Sequence, residues 1–327
     1  MKHVSILIPQ GQSSLVNIQG AHHLLSWVNE YVVEMGRDPL FKIELVGSSD
    51  AIKHPDGLFV IHPEKHPDEI SKTDLVIIPA IHGAPEEVIA SNSELLTWIV
   101  DQYRSGAEIA SLCIASFFLA STGLLNGKQC STHWRSAPAF RQLFPEAILM
   151  DDKILTDSEG IYTSGGAYSF TNLLIYLVEK FAGREVAIMA AKTFMIDIER
   201  TSQSPFTIFV GQKIHKDEAV LHAQDFIEKN FQERISVDAI TEKLCIGRRT
   251  FERRFKKATS NTINEYIQRV KIEAAKKQLE TGRKTVNEVM YEVGYADTKA
   301  FRDVFKKYCG ISPVHYRNKY YKVPAEA

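Results

Sequence analysis

An α/β domain on a mostly parallel sheet flanked by helices, followed by an all-α domain with two helix-turn-helix units, is the fold class this sequence predicts. Three observations predict it. Over the first 200 residues, short β-rich apolar runs alternate with amphipathic helical stretches, the rhythm of parallel strands joined through helices. From Asp217 onward only helical periodicity remains. Within that stretch one pattern occurs twice, fifty residues apart: Phe251, Phe255, Lys256, Lys257, Tyr266 and Arg269 are answered by Phe301, Phe305, Lys306, Lys307, Tyr316 and Lys319.

In the front domain, strands are expected at 4–8, 41–46, 75–78, 108–112 and 161–163. They are largely apolar and β-rich, as buried parallel strands should be. Helices are expected at 16–35, 93–104, 116–121, 136–143, 169–181 and 184–198. The stretch 201–216 breaks the rhythm. Ser202-Gln203-Ser204-Pro205 has linker composition, and the apolar run 206–210 reads as a strand docking that linker. The expected organisation is an α/β domain over 1–200, a linker over 201–216 and an all-α domain over 217–327.

In the last domain, helices are expected at 218–230, 237–244, 248–258, 264–281, 286–293, 298–308 and 313–319. Ser236, Thr285 and Asp297 are natural N-caps. The turns Cys245-Ile246-Gly247 and Tyr295-Ala296-Asp297 each open a helix with Phe at i and i+4, the spacing of a core face. The remaining faces carry Arg248, Arg249, Thr250 and Arg253 on one helix and Thr298, Lys299 and Arg302 on the other. Those are the positions a helix-turn-helix aims into the major groove, where Arg can bond bidentately to guanine. Lys257, Lys306 and Lys307, with Lys256, lie further along and suit phosphate contact, which gives affinity without sequence information. For each arginine, base readout and phosphate contact both stay open.

Charge supports the division. From residue 216 onward the chain holds 23 Lys and Arg against 16 Asp and Glu, and before it 16 against 24, so only the second domain should face a polyanion. Apolar content of 44% and charged content of 24% are ordinary for a globular protein. No apolar run reaches the ~18 residues of a membrane span, and the start reads directly into domain-like sequence, so neither membrane nor signal peptide is expected. The four cysteines are widely spaced, without a metal or redox motif. Reduced thiols in the cytoplasm are the expectation, with no metal and no cofactor.

One front-domain cysteine stands out. Cys113 sits where the run 109–112 passes into a helix, at a helix N-terminus, where dipole and free N–H groups lower a thiol pKa. Thr132-His133-Trp134 supplies an imidazole, and a Cys-His pair on an α/β sheet is what nucleophilic catalysis needs. Burial as a plain core cysteine is the competing reading.

Two resemblances follow. Asp238 to Lys319 resembles the DNA-binding domain of the AraC/XylS family of transcription regulators, through Arg249-Thr250-Phe251-Glu252-Arg253-Arg254-Phe255 in the first unit. In the second unit it does so through Gly294-Tyr295-Ala296-Asp297, Phe301, Phe305, Gly310-Ile311-Ser312-Pro313 and Tyr316-Arg317. Gly247 stands where a capping Ser is usual, and Ser260 and Ile263 replace the Gly and Pro of the second copy. Residues 3–185 resemble the ThiJ/PfpI group of the class I glutamine amidotransferase-like, flavodoxin-like fold, through Leu75-Val76-Ile77-Ile78-Pro79, Gly83, Cys113-Ile114-Ala115-Ser116, Thr132-His133-Trp134 and Tyr162-Thr163-Ser164-Gly165-Gly166. The two joined resemble the GlxA-type regulators.

The resemblance implies that Cys113, His133 and Gly83 fall where the enzymes of that superfamily keep nucleophile, base and oxyanion site. Residues 1–29 contain no Asp or Glu, Gln10, Gln12 and Asn17 standing where those enzymes often have an acid, and Ala115 replaces a usual Gly. The expectation is therefore a non-catalytic domain with Cys113 and His133 vestigial. A small-molecule effector would meet Gly83, Cys113, His133, Trp134, Ser164 and Gly165. Expected partners are double-stranded DNA and a second copy of the chain. A contact with RNA polymerase stays open, as do the alternatives of a Cys-dependent hydrolase and a thiol redox sensor.

Overall fold

The computed structural model describes residues 1–49, 51–53, 59–282 and 284–321. It divides into two compact units, Met1–Gln203 and Ser204–Ala327.

The first unit is built on six strands: β1 (Lys2–Leu7), β2 (Phe41–Val46), β3 (Leu75–Ile78), β4 (Glu108–Ser111), β5 (Leu155–Ser158) and β6 (Ile161–Ser164). Their spatial order is β5-β6-β4-β3-β1-β2, all neighbours parallel except β5 against β6. The period of two along each strand sends alternate residues to opposite faces. Val4, Ile6, Leu75, Ile77, Ala110 and Tyr162 enter one core; Leu7, Val76, Ile78, Ile109 and Ile161 enter the other.

The first core is closed by α1 (Leu15–Glu34), α6 (Phe170–Ala182) and α7 (Arg184–Thr193). Ser14 caps α1 by accepting from the Asn17 N–H, and Ile18, Ala21, Leu25, Val28 and Val32 form its buried stripe. Between α1 and α6 lie α2 (Pro85–Ser91), α3 (Ser93–Arg104), α4 (Ala115–Ala120) and α5 (Ala137–Leu143). Trp98, Phe118 and Phe140, from the last three of these, fill the second core.

The second unit consists of α8 (Glu218–Asn230), α9 (Val237–Leu244), α10 (Arg248–Thr259), α11 (Ile263–Thr281), α12 (Val286–Glu292), α13 (Thr298–Cys309) and α14 (Pro313–Tyr320). It holds two cores, one around Phe251 and Phe255 and one around Phe301 and Phe305, with α11 contributing to both.

Two expectations are corrected. The run 206–210 is not a strand: Ser204–Phe206 is a 3-10 turn, and Ile208 and Val210 lie exposed with no strand beside them among the described residues. The helix expected to reach residue 198 stops at Thr193, and Met195 turns out of it in left-handed backbone, φ 54. The edge strand β5 was not expected from sequence, because Leu-Thr-Asp-Ser offers little apolar signal.

Candidate nucleic-acid interface and ligand cleft

The duplication seen in the sequence is a duplication of geometry. Residues 251–260 and 301–310 are buried and exposed in the same order, position by position. Phe251 and Phe255 have ring centroids 5.8 Å apart at 59°, Phe301 and Phe305 5.8 Å at 58°. A tyrosine closes each pair edge-on, Tyr266 on Phe255 at 5.4 Å and Tyr316 on Phe305 at 5.5 Å. Each tyrosine donates its hydroxyl to a carboxylate, Glu228 at 2.7 Å and Glu280 at 2.5 Å. Each Phe is fully buried, contributing about 1.5–3 kcal/mol by removal from water. The core therefore fixes the rotation of α10 and α13, and with it which residues face outward.

Those outward residues include the expected ones. Arg249, Thr250, Arg253 and Lys257 are exposed on α10; Lys299, Arg302, Lys306 and Lys307 are exposed on α13, with Thr298 half-buried at its start. Among the described residues, Arg249, Arg253, Lys299 and Arg302 pair with no carboxylate. Arg248 differs. It donates to Asp238 at 3.0 and 3.2 Å and to Glu252 at 3.0 Å, so its charge is already answered within the unit. Arg254 is structural too: it holds Asp217, the N-cap of α8, through bonds of 2.9 and 2.7 Å.

In the first unit, Cys113 joins β4 to α4 in left-handed backbone, φ 58. Its N–H donates to the Ser164 hydroxyl at 3.0 Å, which pins the bend to the end of β6. The sequence leads one to expect a thiol activated by the helix terminus. The structure corrects this: burial pushes the Cys113 thiol up to about 11, and the N–H of Ile114 pulls back only in part. Desolvation of a thiolate outweighs one favourable dipole.

His133 is half-buried and its pKa is lowered, first by burial and then by the Arg135 charge. Its Nδ1 accepts from the Arg135 N–H at 3.1 Å, which places the ring proton on Nε2. Among the described residues no hydrogen bond joins Cys113 to His133. The polar groups at the end of β1 serve the scaffold: the Gln10 side chain donates to Ser49, and Asn17 accepts from the Ala80 N–H.

Beside this bend lies a cleft of about 400 Å³. Of the expected ligand residues Gly83 lines it. Cys113, His133 and Trp134 do not, but their neighbours Ile114, Arg135 and Ser136 do, opposite Val88 and Ile89 of α2 and beside Phe117 of α4. Ser164 is buried against the Cys113 backbone. Gly165 packs on Gln203: a Cβ there would lie 2.8 Å from the Gln203 carboxamide, so glycine is needed for close approach rather than for a ligand.

Gln203 and Arg135 are the residues that sequence reasoning passed over. The Gln203 carboxamide donates to the carbonyls of Thr132, Asp151 and Lys153 and accepts from the N–H groups of Trp134 and Gly166. It thus ties three loops around the Cys113 bend. Arg135 follows directly on the Thr132-His133-Trp134 motif, the one signal that could have found it.

No helix among the described residues is long and apolar enough to cross a membrane. Residues 240–319 match the helix-turn-helix domain family HTH_18, and residues 32–180 match the DJ-1/PfpI family. The HTH-type transcriptional regulator GbdR of Pseudomonas aeruginosa is 26% identical over 262 residues, 79% of this chain and 69% of that protein. Two solved structures share the fold: an AraC family transcriptional regulator from Pseudomonas putida (17% identical, TM-score 0.51, covering 59% of this chain and 100% of that one) and Drosophila melanogaster DJ-1beta (21%, TM-score 0.50, 60% and 98%). The chain thus carries a DJ-1/PfpI domain followed by a helix-turn-helix domain, the make-up of a DNA-binding transcription regulator, and is similar over most of its length to one.

Proposed function

We propose that this regulator reads a specific operator through α10 and α13 as a homodimer paired through its first unit, and that a small-molecule effector occupies the cleft between Gly83 and Arg135. The observation that carries the DNA reading is the pair of matched helices, each rotated by its own Phe-Phe-Tyr core so that unpaired cations face outward. A DNA-binding role fits a cytoplasmic protein. Residues 1–200 would serve sensing and pairing, 201–216 would link, and 217–327 would bind DNA.

The cleft binds rather than turns over its ligand, in this reading. A thiol at about 11, without an imidazole hydrogen-bonded to it, presents almost no thiolate at neutral pH. A band-shift titration with and without effector, on full-length protein and a cleft-blocked variant such as Ala139→Trp, tests the coupling. Loss of effector response in the variant, with operator affinity intact, is the expected result; an unchanged response would remove the cleft from the reading.

A further inference from the structure

We propose that the effector is a monoanionic carboxylate on an apolar body, held by Arg135; this rests on the reading of the cleft as the effector site. The walls are apolar and aromatic, with Ile89, Ile114, Phe117 and Phe118 among them. Such walls select for an apolar ligand body. Arg135 is the one charged residue among the described residues that line the cleft. Among the described residues its guanidinium has no ion-pair or hydrogen-bond partner, in contrast to the nearby Arg141, which pairs with Asp151 at 2.9 Å.

An unpaired guanidinium at the edge of an apolar cavity is matched by a planar anion that can accept two parallel N–H bonds. The adjacent Ser136 hydroxyl, also without a partner among the described residues, offers a third. One cation balances one negative charge; a phosphate dianion would leave charge uncompensated against hydrocarbon. Among the described residues no Asp or Glu lines the cleft, so a purely cationic head would meet a like charge and no acceptor of opposite sign there.

Isothermal titration of full-length protein with phenylacetate and hexanoate, their amides and the amines phenethylamine and hexylamine tests this. The carboxylates should bind, the amides about tenfold or more weakly, and the amines not at all. Arg135→Gln should cost the carboxylates about tenfold while leaving the amides unchanged, and Arg135→Lys should restore part of the loss. Arg135 is exposed, so these variants should fold, which circular dichroism checks. Amines binding as well as acids, acids indifferent to Arg135→Gln, or no binding by any of these probes would each overturn the proposal. A thermal-shift screen of mixed small molecules separates the two failures. Compounds of another class that stabilise the wild type but not Ala139→Trp would keep the cleft as effector site; none at all would remove that reading too.

Discussion

Cys113 shows how one residue's depth decides its chemistry. Position alone, at a strand-to-helix bend, argues for an activated thiol, and 6% exposure reverses it. Its folded pKa lies above the usual thiol value, so thiolate should appear only as pH climbs toward about 11. Alkylation near neutrality should therefore label exposed Cys245 first and leave Cys113, like buried Cys130 and Cys309, slow in the native protein, as peptide mapping after iodoacetamide would report. Rapid labelling of Cys113 at neutral pH would reinstate the thiol-sensor alternative. Cys113→Ser should leave operator affinity unchanged. On the DNA side, Arg249→Ala or Arg253→Ala should cost about 1–3 kcal/mol on the cognate site and relax base preference. Lys307→Ala should weaken all duplexes alike and flatten the salt slope by about one. Equal losses on specific and random duplex for the arginines would reassign them to phosphate.

The two helix-turn-helix elements share a plan but differ in their turns. Ser236 and Thr285, which cap α9 and α12, are forty-nine residues apart; Gly247 and Asp297, which precede α10 and α13, are fifty apart. The second element is thus one residue longer from cap to cap. Where the second element uses Gly294 and Gly310 in left-handed backbone, the first uses Cys245 and Ser260. A side chain in that conformation is strained, and Gly247 gives α10 no side-chain cap while Asp297 caps α13. Ser260→Gly should stabilise the 204–327 unit by about 0.5–1 kcal/mol, and Gly310→Ser should destabilise it by a similar amount, measured by urea unfolding.

This repeat was legible because Phe-Phe spacing within a helix is local. The Cys113 bend was legible for the same reason. The cleft was not: it exists because the fold brings α2 beside residues 134–139, some fifty positions later in the chain, and no local pattern encodes that approach. Gln203 was hidden similarly. Glutamine in a Ser-Pro stretch reads as linker, whereas its partners lie 37 to 71 residues back.

For the molecule as a whole, the two units carry separate cores, so each should fold without the other. Residues 204–327 alone should retard operator DNA, with the two elements reading sites about one helical turn apart. Binding no better than to random duplex at physiological salt would refute that. Residues 1–203 should sediment as a dimer at tens of micromolar, the commonest symmetric state; a monomer there would move pairing elsewhere.

Gln203 is the last residue of the first unit, and the next peptide bond enters the second. Its carboxamide is a splice: five backbone groups from loops 132–134, 151–153 and 166 converge on one side chain. Moving any of those loops must stretch or break bonds to Gln203, and the loop that carries Thr132 and Trp134 continues directly into Arg135. If the proposed effector shifts Arg135, the strain would fall on Gln203 and so on the backbone that enters the second unit, a covalent exit for the signal.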